Sequence, residues 1–267
     1  MIFWVFSSKV FDYLPIRKTR YSGNRSIMQH AFPPLKSACF LRKEMRYYTE
    51  IVLEKEEKTQ ALNTSLLNLP QIDILGTHLF VSEREKNFKI PYLVEMAEVD
   101  DGHMVVVNLQ RALNFLITKL MQEDILDIHD LSMHKAAHLP PVICANDLKF
   151  DVITKKFQPH LLVIHPIVQC DSNKNAFFPQ IRESWVFDHL IDAISYRRGG
   201  QRATLIFYAL NTGIEAIVPN IQSQDDYSKI LIEALKSGVE LITAKIDVKN
   251  NSLLTLSFDN IFSQEGI

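Results

Sequence analysis

The feature that most constrains this chain is a change of hydrophobic period at Asn108. Before it, from about Leu35, apolar residues alternate in short runs. After it they recur at helical spacing. YYTEIVLEK sets Tyr47, Ile51 and Leu53 on one side, and IDILGTHLFVSE places an alternating His-Leu-Phe-Val run behind a glycine. KIPYLVEMAEVDDGHMVVVN reads as two strands about Asp101-Gly102, a strong hairpin signal. About five such strands within about seventy residues predict a small barrel of the OB type. LQRALNFLITKLMQEDIL then lines up Leu109, Ala112, Leu113, Leu116, Leu120 and Met121 on one helical face.

After a polar stretch rich in histidine, PPVICAND, LKFDVIT and HLLVIHPIVQ read as strands. RESWVFDHLIDAISYRR reads as a helix stopped by Gly199-Gly200, and DDYSKILIEALKSG as a helix ending at Gly238. RATLIFYAL, GIEAIVP, VELITAKIDV and SLLTLSF supply further strands. The fold class is therefore α/β (α+β): an OB-like β-barrel over 34–106, then a mixed α/β unit over 107–262. Residues 1–33 read as an extension, expected to be disordered or an over-long start, with Met28 offering another initiation point.

Charge bears on partners. The formal net charge is −2, yet residues 1–43 hold eight Lys/Arg against Asp12 alone, a balance of +7 that leaves −9 for the remainder. Nucleic-acid binding would then rest on local patches. Three cysteines (Cys39, Cys144, Cys170) without CxxC spacing exclude a disulfide framework and a zinc ribbon, and point to a reducing, cytoplasmic setting. The MIFWVF run is too short to span a bilayer, so no membrane partner is expected.

From Phe177 to Val248 the chain resembles the sugar fermentation stimulation protein A family. The resemblance rests on Phe178-Pro179, His189-Leu190, Gly200-Gln201-Arg202-Ala203, Ala216-Ile217-Val218-Pro219 and Ser237-Gly238-Val239-Glu240-Leu241, in that order. It continues upstream through Lys43 and Arg46 in a basic strand, Asn63-Thr64, Pro91-Tyr92 with Glu95, Val107-Asn108 and Asn114. It implies an N-terminal OB-like barrel, a domain of the PD-(D/E)xK nuclease type, DNA binding and nuclease activity. Residue by residue, the family's first-helix glutamate falls on Lys119, its aspartate on Asp151 and its Glu-x-Lys on Val163-Ile164-His165. Its aspartate after Phe-Pro falls on Gln180 and its Thr-Glu-Arg on Glu183-Ser184-Trp185.

Metal-dependent phosphodiester hydrolysis needs oxygen ligands for Mg²⁺ and a cation for the developing charge. Asp151 alone does not supply them, so it reads as a vestigial catalytic residue. His165 is the remaining candidate, able to join Asp151 as a nitrogen ligand for a softer metal. The plainer reading is a hydrogen-bonded histidine at a strand end before Pro166. His134 and His138 stand at i, i+4 spacing but lack the glutamate of HExxH, and read as part of a solvated helix or loop. No metal site and no cofactor is assigned; Mg or Mn enters only if the nuclease site works.

For nucleic acid the candidates are Lys43, Arg46, Tyr47, Asn63 and Thr64, because a positive groove with aromatic faces is how OB surfaces hold single strands. Arg197, Arg198 and Arg202 form a second basic spot, which also reads as cations at a helix C-terminus. The expected function is weak, salt-dependent DNA or RNA binding with a regulatory output and an inactive nuclease-like domain. Two alternatives stay open: an active metal-dependent nuclease with rearranged ligands, and a protein-interaction scaffold.

Overall fold

The computed structural model describes residues 30–257 except 46–47, 54–57, 64–71, 100–101, 123–127, 135–141, 152–155, 180–183, 220–225 and 250–252. A two-residue strand, β1 (His30–Ala31), precedes six strands: β2 (Leu35–Met45), β3 (Tyr48–Leu53), β4 (Lys58–Leu62), β5 (His78–Glu83), β6 (Tyr92–Val99) and β7 (His103–Val106). The sheet order is β4-β3-β2-β5-β6-β7, and a further parallel pairing of β4 with β6 closes the five strands β2 to β6 into a barrel. Alternation builds it: Ala38, Phe40, Ile51, Leu53, Leu79, Val81 and Val94 are buried together. Gly102, at φ +77°, supplies the left-handed residue at the β6–β7 hairpin.

The second unit contains α1 (Leu109–Gln122), β8 (Ile128–His134), β9 (Val142–Asp151), β10 (Lys156–Ile167), β11 (Asn175–Phe178) and α2 (Ser184–Arg198). It continues with β12 (Arg202–Ala209), β13 (Ala216–Pro219), α3 (Asp226–Lys236), β14 (Glu240–Lys249) and β15 (Leu253–Ser257). Its main sheet runs β1-β15-β14-β12-β10-β9-β8, with β10, β12 and β14 parallel. The helices α2 and α3 make the crossovers. Period-two alternation splits this sheet between two cores. Leu162, Ile164, Ile206, Tyr208, Ala244 and Ile246 pack with α1 and the barrel. Leu161, Val163, Leu205 and Phe207 pack with Val186, Leu190, Ala193, Leu231 and Ala234 of α2 and α3.

A buried carboxylate joins the two units. Glu95, fully buried on β6, accepts two bonds from Arg111 at 2.8 Å, one from Ser82 Oγ at 2.7 Å and one from Asn108 Nδ2 at 2.8 Å. Asn108 also caps α1, its Oδ1 accepting from the Arg111 N–H at 3.1 Å. Tyr208 on β12 donates its hydroxyl to the Ala112 carbonyl at 3.1 Å, fixing α1 to the sheet.

Three expectations are corrected. The end of the supposed extension is ordered: His30–Ala31 pairs with β15, and Phe32 is buried beneath the Arg111 guanidinium, 5.7 Å from the ring centroid. PPVICAND and LKFDVIT are not two strands: Val142–Asp151 forms one continuous strand, β9. His134 ends strand β8, so no helix carries it; His138 lies outside the described residues.

Candidate functional site

The odd positions of β10 face α2, and the candidate site is what they meet there. Val163 is wholly buried among Leu161, Val186 and Leu190. His165, 2 % exposed, lies nearly parallel to the Trp185 ring, with centroids 5.7 Å apart and an interplanar angle of 13°. It meets Phe178 edge-on at 5.2 Å, Phe207 at 6.3 Å and His189 at 5.8 Å. A β-strand holds the first imidazole and the first turns of α2 hold Trp185 and His189, so rigid elements set the geometry.

This surrounding decides the charge. Burial first, and then the neighbouring His189, hold His165 down at about 3 from its ordinary 6.5. Burial also lowers His189, with the Asp188 carboxylate partly opposing it. Both rings are therefore neutral at pH 7. Among the described residues, His165 Nε2 and His189 Nδ1 are buried without a hydrogen-bond partner, so the reading of His165 as a hydrogen-bonded strand-end histidine finds no support at that nitrogen there. Neutral imidazoles provide no standing positive charge for a phosphorane, and Val163 has no donor atom.

The residues placed together from sequence separate into two groups. Those aligned with the family's Glu-x-Lys, Phe-Pro turn, Thr-Glu-Arg and His-Leu do converge, as Val163, His165, Phe178, Trp185 and His189. Asp151 does not join them. In the β9–β10 ladder Asp151 stands opposite Lys156 while Val142 stands opposite Val163. His165 is thus nine residues along β10 from Asp151's partner, or about 30 Å at strand rise. Lys119, 5 % exposed, belongs to α1 on the other face of the sheet, beside Leu116 and Leu120. Asp151, Lys119 and His165 therefore form no common cleft, and the pairing of Asp151 with His165 about a metal is ruled out by register. Among the described residues no three His, Cys, Asp or Glu side chains gather to hold a metal ion.

On the barrel, Arg46, Tyr47 and Thr64 lie outside the described residues, and Asn63 is half-buried. Lys43 is engaged by Asp73 at 2.5 Å, and Arg42 by Glu50 at 2.6 Å. Two cations of the second basic spot are likewise paired, Arg198 with Glu233 at 2.6 Å and Arg202 with Glu240 at 2.8 and 2.9 Å, while Arg197 donates to the Gln201 carbonyl at 3.1 Å. Sequence reasoning missed the β5–β6 loop, where the Arg84 guanidinium sits 3.8 Å from the ring centroid of Phe88, itself 49 % exposed, with Lys86 and Lys89 exposed beside it. The signal was present as EREKNFK, three cations and two glutamates about one aromatic. Among the described residues no helix is long and apolar enough to cross a membrane.

A five-stranded barrel clasped to a mixed sheet with helices on both faces, and an aromatic pocket on one of those faces, define a two-unit α/β protein. Residues 113–252, just over half of the chain, match the sugar fermentation stimulation protein RE domain family, and the chain belongs to it. Relatives named sugar fermentation stimulation protein homolog include one from Histophilus somni, 26 % identical over 239 residues, covering 86 % of this chain and 98 % of that one. Another, from Aeromonas hydrophila, is 23 % identical over 232 residues, covering 85 % and 93 %. The structure of Pyrococcus furiosus SfsA in complex with Ca²⁺ superposes with a TM-score of 0.71 at 17 % identity, covering 90 % of this chain and all of that one.

Proposed function

We propose that this chain binds nucleic acid without cutting it. The observation that carries the reading is the filled α2-face pocket, where a fully buried valine and a neutral, stacked imidazole stand in the slots of the family's glutamate and lysine. Hard cations such as the Ca²⁺ of the Pyrococcus protein take six to eight oxygen ligands. Val163 offers no donor, and His165 and His189 offer only nitrogens, so these residues do not fit such a cation.

Binding is supported at the β5–β6 loop, where the half-exposed Phe88 ring, one face covered by Arg84, lies among three cations and Glu85, a pairing that holds single strands by stacking and charge. This shifts the expected contact from Lys43, which Asp73 occupies, to Arg84, Lys86, Phe88 and Lys89. The same ion pairs favour the second reading, a protein-interaction scaffold, since they leave the Lys43 strand nearly neutral.

Fluorescence anisotropy with single- and double-stranded DNA and RNA, titrated with salt, decides between them. Binding at low salt, with a log–log slope reduced by about 2 units in the combined Arg84→Ala, Lys86→Ala, Lys89→Ala variant, is the expected result. Phe88→Ala should weaken single-strand binding by about 1–3 kcal/mol. No binding to any of these at low salt leaves the scaffold.

A further inference from the structure

Away from the α2 face, three adjacent barrel strands bring a serine, a histidine and a glutamate into line. Ala38 and Leu79 point into the barrel, so their neighbours Ser37 and His78 point outward. His78 lies opposite Cys39 in the β2–β5 ladder, two residues from Ser37, and Leu79 opposite Ala97 brings Glu98 alongside on β6. Ser37 Oγ is 2.6 Å from His78 Nε2, and His78 Nδ1 is 2.8 Å from Glu98 Oε2. Phe80 packs against the imidazole with centroids 4.6 Å apart, steadying its orientation.

The proton positions follow from the partners. An ionised carboxylate only accepts, so Nδ1 carries the hydrogen that Glu98 binds. In the neutral ring Nε2 then holds a lone pair, and the Ser37 hydroxyl must donate to it. Nucleophile, base and orienting acid thus stand at separations of 2.6 and 2.8 Å, within reach for proton transfer. His78 and Glu98 are 39 % and 41 % exposed, so a small ester can approach without any element moving.

We propose that Ser37 is the nucleophile of a second site, on the barrel, that takes the acyl group of small activated esters and transfers it to water. Ser37 Oγ bonds to the ester carbonyl carbon as its proton passes to His78 Nε2. The carbon–oxygen bond to the leaving group then breaks, and the departing oxygen takes that proton. Water repeats the sequence on the acyl-serine, giving the carboxylic acid and restoring Ser37. Glu98 is a positioning residue: it holds the ring and offsets the imidazolium charge.

The test uses the full chain carrying Cys39→Ala, which removes the exposed thiol opposite His78 as a rival nucleophile. The protein is treated with a fluorophosphonate probe, whose fluoride leaves as the serine oxygen bonds to phosphorus, and the labelled peptide is identified by mass spectrometry. Labelling of Ser37 is expected, absent in Ser37→Ala and slowed by about 10²–10⁴-fold in His78→Ala. Glu98→Gln should slow it and move its pH midpoint downward, at an unchanged melting curve, because the imidazolium loses its carboxylate. Absence of Ser37 labelling, or labelling that survives His78→Ala in protein that melts as the parent does, overturns the proposal. Should His78→Ala fail to fold, the Glu98→Gln pH profile decides alone, and an unmoved midpoint overturns it.

Discussion

Glu95 and His165 occupy equally buried positions, 0 % and 2 % exposed, yet the fold meets them in opposite ways. Glu95 has a bidentate arginine, a serine and an asparagine on its two oxygens. His165 has aromatic rings around it and a nitrogen with no hydrogen-bond partner among the described residues. The difference is one of what each group can become. A glutamate kept ionised in a dry place must be fully paired, and its partners come from both units, so it makes a specific joint. An imidazole escapes by staying neutral, and can be packed as an awkward aromatic. In the slots that the resemblance gives to a glutamate and a lysine, this chain has groups that need no counter-charge.

The comparison is most easily broken at Glu95. Glu95→Ala leaves Arg111 facing a void and should cost about 3–5 kcal/mol in urea denaturation. A loss below about 1 kcal/mol would mean that the clasp is ornamental. The pH dependence of His165 comes next. Its folded value near 3 lies below the ordinary 6.5, so the unfolded chain binds the proton more readily. Stability contributed by the neutral ring is complete above pH 6.5 and falls as pH drops toward 3, at up to about 1.4 kcal/mol per unit. His165→Leu should abolish that part of the slope and, at pH 7, leave stability unchanged or raise it by about 1 kcal/mol, since a buried nitrogen without a partner among the described residues is removed. Parallel pH slopes for the two proteins would show that His165 titrates normally. The smallest effect belongs to the barrel surface: Lys43→Ala should change stability by no more than about 1 kcal/mol, because its ion pair with Asp73 is solvated.

How much of this was legible depended on how local the cause was. The barrel strands and α1 were readable because alternation and the 3.6 period are written in adjacent residues, as at Ile51 and Leu53 or Leu113 and Leu116. Strand β1 was not, since His30–Ala31 has no period of its own and is defined by β15, more than two hundred residues later. The meeting of His165 with Trp185 and His189 was implicit in the family correspondence, but their stacking and neutrality required burial to be known. The separation of Asp151 rests on strand register, with an irregularity between Phe157 and Pro159 that no residue pattern announces. Lys119 was placed in the same cleft by the family correspondence, and sequence spacing carries no information about which side of a sheet a helix covers. Glu95 was noticed only as a family match; Ser82 and Arg111, thirteen and sixteen residues away on either side, reach it through the fold.

We propose that the α2 face is closed to metal-dependent hydrolysis. Incubating the purified full chain with supercoiled plasmid and single-stranded RNA, in Mg²⁺ and in Mn²⁺, measures this directly. The account requires no cleavage above the metal-free blank in either ion. Cleavage that depends on the metal and disappears in His165→Leu would contradict it, and would show that the buried imidazole is part of a working site.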